Sequence, residues 1–135
     1  MSIDISNDVQ RIFRKDQDLT GATTLTNADS GKVFYLKAAQ GAAVTLPSLR
    51  AGANFRFVVA QAFDTSDWVL TPADADKLEG SLIVAGAAVS VDAADTITFV
   101  ASAENIGDFV DFNCDGSTWF VNGVGLTSGS ITAAG

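Results

Sequence analysis

From Thr23 onward the chain is cut into short runs rich in Val, Ile, Phe, Thr and Trp, separated at intervals of about ten residues by Gly, Asp, Asn, Ser or Pro. No segment after residue 20 carries a sustained apolar stripe at helical spacing. The pattern therefore specifies an all-β fold, a single-domain β-sandwich or barrel. Strands are expected near Lys32–Lys37, Ala43–Leu46, Asn54–Gln61, Trp68–Leu70, Ser81–Ala85, Ala88–Val91, Thr96–Val100, Asp108–Asn113 and Ser117–Asn122, with one more edge strand at Ser130–Thr132.

Alternation fixes the faces. In the run from Asn54, residues Phe55, Phe57 and Val59 point one way and Asn54, Arg56 and Val58 the other, so one side is strongly apolar. Asp115-Gly116 lies between two β-rich runs and has the residue types of a two-residue type I′ turn. Pairing about that turn sets Cys114 opposite Ser117, Phe112 opposite Trp119 and Val110 opposite Val121, an apolar ladder to which Cys114 belongs. Pro47 and Pro72 fall at strand ends, where a missing N–H does little harm. Gly41, Gly52, Gly80, Gly86 and Gly107 read as turn positions, and no internal repeat of useful length is visible. These features divide the chain into an N-terminal arm (1–18), a β domain (19–123) and a C-terminal tail (124–135) rich in Gly, Ser, Thr and Ala.

The arm differs in charge from the rest. Eight Lys plus Arg stand against sixteen Asp plus Glu in the whole chain, a net charge of −8, yet Arg11, Arg14 and Lys15 fall within a few residues of one another. Ile5, Val9, Ile12 and Phe13 fit a short amphipathic turn, while Ile3 and Ile5 also alternate, so helix and extended chain both remain open. Net acidity argues against nucleic acid and anionic lipid as partners. The N-terminus has no basic, apolar leader and the longest apolar or glycine run, Leu82 to Val89, is too short to span a bilayer, so the expected product is a soluble chain made in the cytoplasm.

Composition also bounds the chemistry. The chain has no histidine, which removes the ordinary Ser-His and Cys-His nucleophiles and the histidine metal ligands. Cys114 is the single cysteine, flanked by Asp111 and Asp115, which disfavour a thiolate; core packing is its expected role. Asp74, Asp76 and Glu79 with Lys77 form an acidic loop whose spacing is not that of a calcium loop, and it reads as solvated. Trp68, Trp119, Tyr35 and the nine Phe could stack on sugars if exposed, but a chain this size needs most of them inside. No catalytic residue, metal or cofactor is expected. Hydrophobic residues are 47% and charged residues 18%, which leaves few charges to coat a lone domain and implies apolar surface covered by copies of the chain or by a partner.

Several phrases carry a resemblance: Asn27-Ala28-Asp29-Ser30-Gly31-Lys32-Val33-Phe34, Gly41-Ala42-Ala43-Val44-Thr45-Leu46-Pro47, Gly80-Ser81-Leu82-Ile83-Val84-Ala85-Gly86, and Gly107-Asp108-Phe109-Val110-Asp111-Phe112 followed by Asp115-Gly116-Ser117-Thr118-Trp119-Phe120-Val121. In this order they resemble small virion structural proteins of tailed phages, in particular the head decoration, or cement, proteins of marine and cyanobacterial phages. The resemblance implies a jelly-roll-like or related β fold, a homotrimer on the outer capsid surface of the virion, the major capsid protein as partner, and no enzymatic activity. It also implies a binding role for a terminal arm. Here the capsid-binding residues would be Arg11, Ile12, Phe13, Arg14 and Lys15, with Ile12 and Phe13 as apolar anchors and the three cations pairing with acidic groups on the shell. The alternative is a phage tail or receptor-binding β module that contacts host surface glycan, since the Asp108–Val121 phrase also suits tail fibres.

Overall fold

The computed structural model describes residues 13–135; Arg11 and Ile12 of the expected contact segment lie outside them. Twelve strands follow in order: β1 (Asp16–Leu19), β2 (Thr23–Thr24), β3 (Val33–Leu36), β4 (Ala43–Thr45), β5 (Asn54–Val59), β6 (Trp68–Thr71), β7 (Leu78–Val84), β8 (Ala87–Ala94), β9 (Thr96–Phe99), β10 (Phe109–Cys114), β11 (Trp119–Gly125) and β12 (Ile131–Ala134). A three-residue 3-10 turn at Asn27–Asp29 is the one helical element among the described residues. Seven strands make one sheet in the order β1-β3-β5-β10-β11-β7-β8, and five make the other in the order β12-β9-β6-β4-β2. The two mixed sheets pack together as a single-domain β-sandwich, the expected class.

Alternation drives this packing. On β5, Phe55, Phe57 and Val59 are buried while Asn54, Arg56 and Val58 are half-buried on the other side. Burying one face of each sheet against the other removes Trp68, Trp119, Phe34, Phe55, Phe57, Phe99 and Phe112 from water almost completely. Phe34 and Phe57 are direct partners on parallel strands, and their rings stack at 5.3 Å between centroids. Phe112 meets Phe57 edge-on at 5.6 Å and Trp119 at 6.3 Å, so the aromatic cluster ties β3, β5, β10 and β11 together.

The first half of the chain is a coil. Successive strands alternate between the sheets, so β1, β3 and β5 stack in parallel on one side and β2, β4 and β6 on the other. Like residues then stack on like: Leu19 on Leu36 on Val59 inside the larger sheet, and Val44 on Leu70 inside the smaller. This is an internal repeat, contrary to the expectation of none. Its turns are unequal, Asp16 to Val33 to Arg56, and that irregularity hides the period in the sequence.

Four further expectations change. Residues 16–18, placed in the arm, form with Leu19 an edge strand paired with β3. At the other terminus β11 runs on to Gly125 and β12 pairs with β9, so most of 124–135 belongs to the sandwich. The β10–β11 hairpin keeps its faces but shifts its register: Cys114 opposes Trp119, Phe112 opposes Val121 and Val110 opposes Gly123. The connection is four residues, because the Asp115 carboxylate accepts the Ser117 and Thr118 N–H groups at 2.8 Å each and the Asp115 N–H donates to the Thr118 carbonyl. A two-residue shift preserves side-chain parity, so the buried ladder with Cys114 stands. Gly80 lies inside β7 rather than in a turn. It sits at a register irregularity with φ +142°, and a Cβ there would collide with the Val121 carbonyl of the neighbouring strand.

Candidate functional site

Two features of the larger sheet stand out from the sequence upward, and both lie on its outward face or edge. The first is an uninterrupted apolar row. Reading the registers across the sheet, Tyr35 on β3 opposes Val58 on β5, then Phe109 on β10, Val124 on β11, Ile83 on β7 and Ala88 on β8. No member of this run is charged. Asp18 ends it on β1, where its carboxylate lies 3.6 Å from the Lys37 ammonium. Ile83 is 44% exposed and Val124 43%; Leu126, 71% exposed, continues the outward phase of β11.

The next row is polar beyond Val33: Arg56, Asp111, Asn122, Ser81 and Ser90. Its centre is a two-pronged ion pair in which Arg56 Nε and one terminal nitrogen donate to the two Asp111 oxygens at 2.6 and 2.8 Å. The bond to Asp111 raises the guanidinium pKa above its ordinary value against the opposing effect of burial. The same guanidinium lies 4.5 Å from the centroid of Phe109, linking the polar row to the apolar one. A third row holds Asn54, Asn113, Phe120 and Glu79, with Phe120 47% exposed.

Asp108 shapes one end of the apolar row. It is buried, and its carboxylate accepts the Asn105 and Leu126 N–H groups at 3.0 and 3.1 Å. It thereby holds together the loop bearing exposed Ile106 and the segment bearing Leu126. Of the six large hydrophobics exposed among the described residues, Ile83, Ile106, Phe120, Val124 and Leu126 sit on this face or the loops at its end. The exposed apolar side chains are thus concentrated on one side of the molecule rather than scattered.

The second feature is the entry to β1. Phe13 is 82% exposed, and Lys15 is exposed while its carbonyl accepts the Val33 N–H at 2.9 Å. The guanidinium of exposed Arg14, one of the expected contact groups, also bonds within the chain. It donates to the Gly31 carbonyl at 2.6 Å and to the Lys32 carbonyl and Asn54 Oδ1 at 3.4 Å, lining a hollow with Asn54, Asp111 and Asn113. No carboxylate pairs with it among the described residues. The strap Phe13–Lys15 therefore lies against the sheet margin with an apolar ring and two cations displayed.

The other sequence candidates resolve into structural roles. In the acidic loop the Asp76 N–H donates to Asp95 Oδ1 at 2.6 Å, and Glu79 Oε1 accepts the Ala93 N–H at 3.1 Å. Among the described residues no three His, Cys, Asp or Glu gather as a metal would require. Cys114 is buried, with its Sγ accepting the Gly116 N–H. Trp68 and Trp119 are sealed in the core, and Tyr35 is half-buried on the apolar row. No helix among the described residues is long and apolar enough to cross a membrane.

The apolar row escaped sequence reasoning, although a signal existed. Strand β11 reads Trp-Phe-Val-Asn-Gly-Val-Gly, with large apolar residues in both phases, and β5, β7 and β10 each add one in the phase that should be polar. Comparison with known proteins gives no anchor: no family model, curated protein or solved structure matches the chain.

Proposed function

We propose that this chain is a virion structural protein, a capsid decoration protein that binds the outer shell through the segment Arg11–Lys15 and stabilises the assembled lattice. The supporting observation is the strap itself. Arg14 ties the start of β1 to Gly31, Lys32 and Asn54 of the sandwich, so Phe13 and Lys15 are displayed from a body rather than from a free end. An apolar ring beside two cations on a chain of net charge −8 suits an acidic, partly apolar surface on a shell subunit. Binding that requires neighbouring subunits stabilises the shell by mass action, because only the assembled form presents the whole site.

The test is decoration of purified phage heads. Phe13→Ala with Lys15→Glu should leave the fold intact and lower the copy number on heads at least tenfold. Unchanged decoration would end this reading. The rival, a glycan-contacting tail module, drew on aromatic residues of which Trp68 and Trp119 are buried. Quantifying the protein in separated heads and tails distinguishes the two: hundreds of copies on heads, or a few on tails.

A further inference from the structure

We infer that a second copy of this chain covers the apolar row, forming a two-fold pair in which the seven-stranded sheets pack face to face. Strand β10 is the fourth of the seven, with three strands on either side. A two-fold axis running along β10 sets Phe109 against its own counterpart. It then lays β5 over the second copy's β11, β3 over its β7 and β1 over its β8. Val58 meets Val124, the bulky Tyr35 meets Ile83, and Asn54 meets Phe120. Each large residue of one flank faces the opposite flank, so one surface is complementary to itself.

Charge agrees with this arrangement. The row from Tyr35 to Ala88 carries none, so two chains of net charge −8 do not repel along it. Asp111 would face its counterpart, and each is held by its own Arg56. The corners of the sheet at the level of the third row differ in sign: Arg14 enters beside Asn54, while Glu79 and exposed Asp92 stand on β7 and β8. The same axis brings the Arg14 corner of each copy over the Glu79–Asp92 corner of the other, twice per pair, while Asp16 and Asp18 farther along β1 fall over uncharged Ser90 and Ala88.

Size agrees as well. Seven strands about 4.8 Å apart, with three outward residues along five of them and two along β1 and β3, give a face of about 500–600 Å² per copy, near the lower bound for a specific pair. Loops bearing Leu126 and Ile106 extend it.

The experiment is sedimentation of the full chain from low micromolar to several hundred micromolar concentration, with no viral shells present. The expected mass is twice that of the chain. Val124→Lys should shift dissociation to at least tenfold higher concentration with an unchanged β spectrum. Asp92→Lys, at an exposed position whose loss removes no packing, should weaken the pair. A monomer throughout, a trimer, or a pair indifferent to both Val124→Lys and Asp92→Lys would overturn the inference. Because no shell is involved, failure here leaves the decoration reading standing, and the converse also holds.

Discussion

The two sheets share one core and present opposite exteriors. Outward from the seven-stranded sheet stand Tyr35, Val58, Phe109, Val124 and Ile83; outward from the five-stranded sheet stand Thr24, Thr45, Thr71, Thr96, Thr98 and Thr132, with Val69 the one large apolar residue among them. Threonine meets the β-branched preference of a pleated surface while giving water a hydroxyl to bond. The smaller sheet thus shows what a solvated face on this body looks like. The larger sheet could have been built the same way. Its apolar row adds little to folding, since those side chains pack against one another only laterally, and it invites association. The difference lies in sequence phase, not in backbone.

The comparison assumes that both exteriors rest on a single cooperative body. Phe57→Ala tests it most severely, because Phe57 packs on Phe34, Phe55 and Phe112 at the sandwich centre. The loss should be ~3–5 kcal/mol in urea unfolding, with tryptophan fluorescence from Trp68 and Trp119 reporting one transition. Two separate transitions would mean the sheets unfold as independent units, and the faces would then belong to different bodies. A smaller effect is expected at the ion pair on the larger sheet. Asp111→Ala leaves a half-buried guanidinium without its two-pronged partner, for a cost of ~1 kcal/mol after solvent screening. A double-mutant cycle with Arg56→Met should recover most of that as coupling.

Much of the sandwich was legible in the sequence because its strands carry alternation between clear turn residues. Asn54–Val59 and Trp68–Thr71 are examples, with buried and half-buried positions in strict sequence. Strand β1 was not legible: Asp16-Gln17-Asp18-Leu19 buries one residue only, and it is a strand because β3 offers an unpaired edge. The coil was hidden for a related reason. Stacking depends on where strands dock, and insertions between them, such as the stretch between β5 and β6, spoil the period without disturbing the stack. Hairpin register depended on the Asp115 carboxylate capturing two N–H groups, a local competition that the Asp-Gly dipeptide does not reveal. At the candidate strap the sequence located the charge and missed the use of Arg14, which needs Gly31 and Asn54 brought near by pairing.

Exchanging residues between the two exteriors sharpens the contrast. Val124→Thr writes the smaller sheet's chemistry onto the larger, and Thr98→Val does the reverse. Both positions are outward and partly exposed, so each should change stability by less than ~0.5 kcal/mol. Their effects on surface should diverge: Val124→Thr should lower binding of an apolar dye such as ANS, and Thr98→Val should raise it. A loss above ~1 kcal/mol for Val124→Thr would show that the apolar row serves the fold rather than a contact.

Acid should act on neither exterior but on the connections between strands, and its effect should be the smallest. Asp29 lies in the crossover from β2 of the five-stranded sheet to β3 of the seven-stranded one. The Lys32 ammonium at 2.7 Å, then the Thr26 N–H, hold its carboxyl below the ordinary value of 3.8. Asp115, in the hairpin of the larger sheet, is lowered by the Ser117 and Thr118 N–H groups. A carboxyl depressed on folding contributes stability that is present above its unfolded pKa and is lost as pH falls through the folded one. The urea midpoint should therefore hold steady above about pH 5 and decline below about pH 4, as protonation removes both contributions. Asp29→Asn should start from a lower midpoint at neutral pH and decline less, so that the two curves converge in acid. If the variant keeps the full acid decline of the parent, Asp29 is not among the groups whose protonation destabilises the fold.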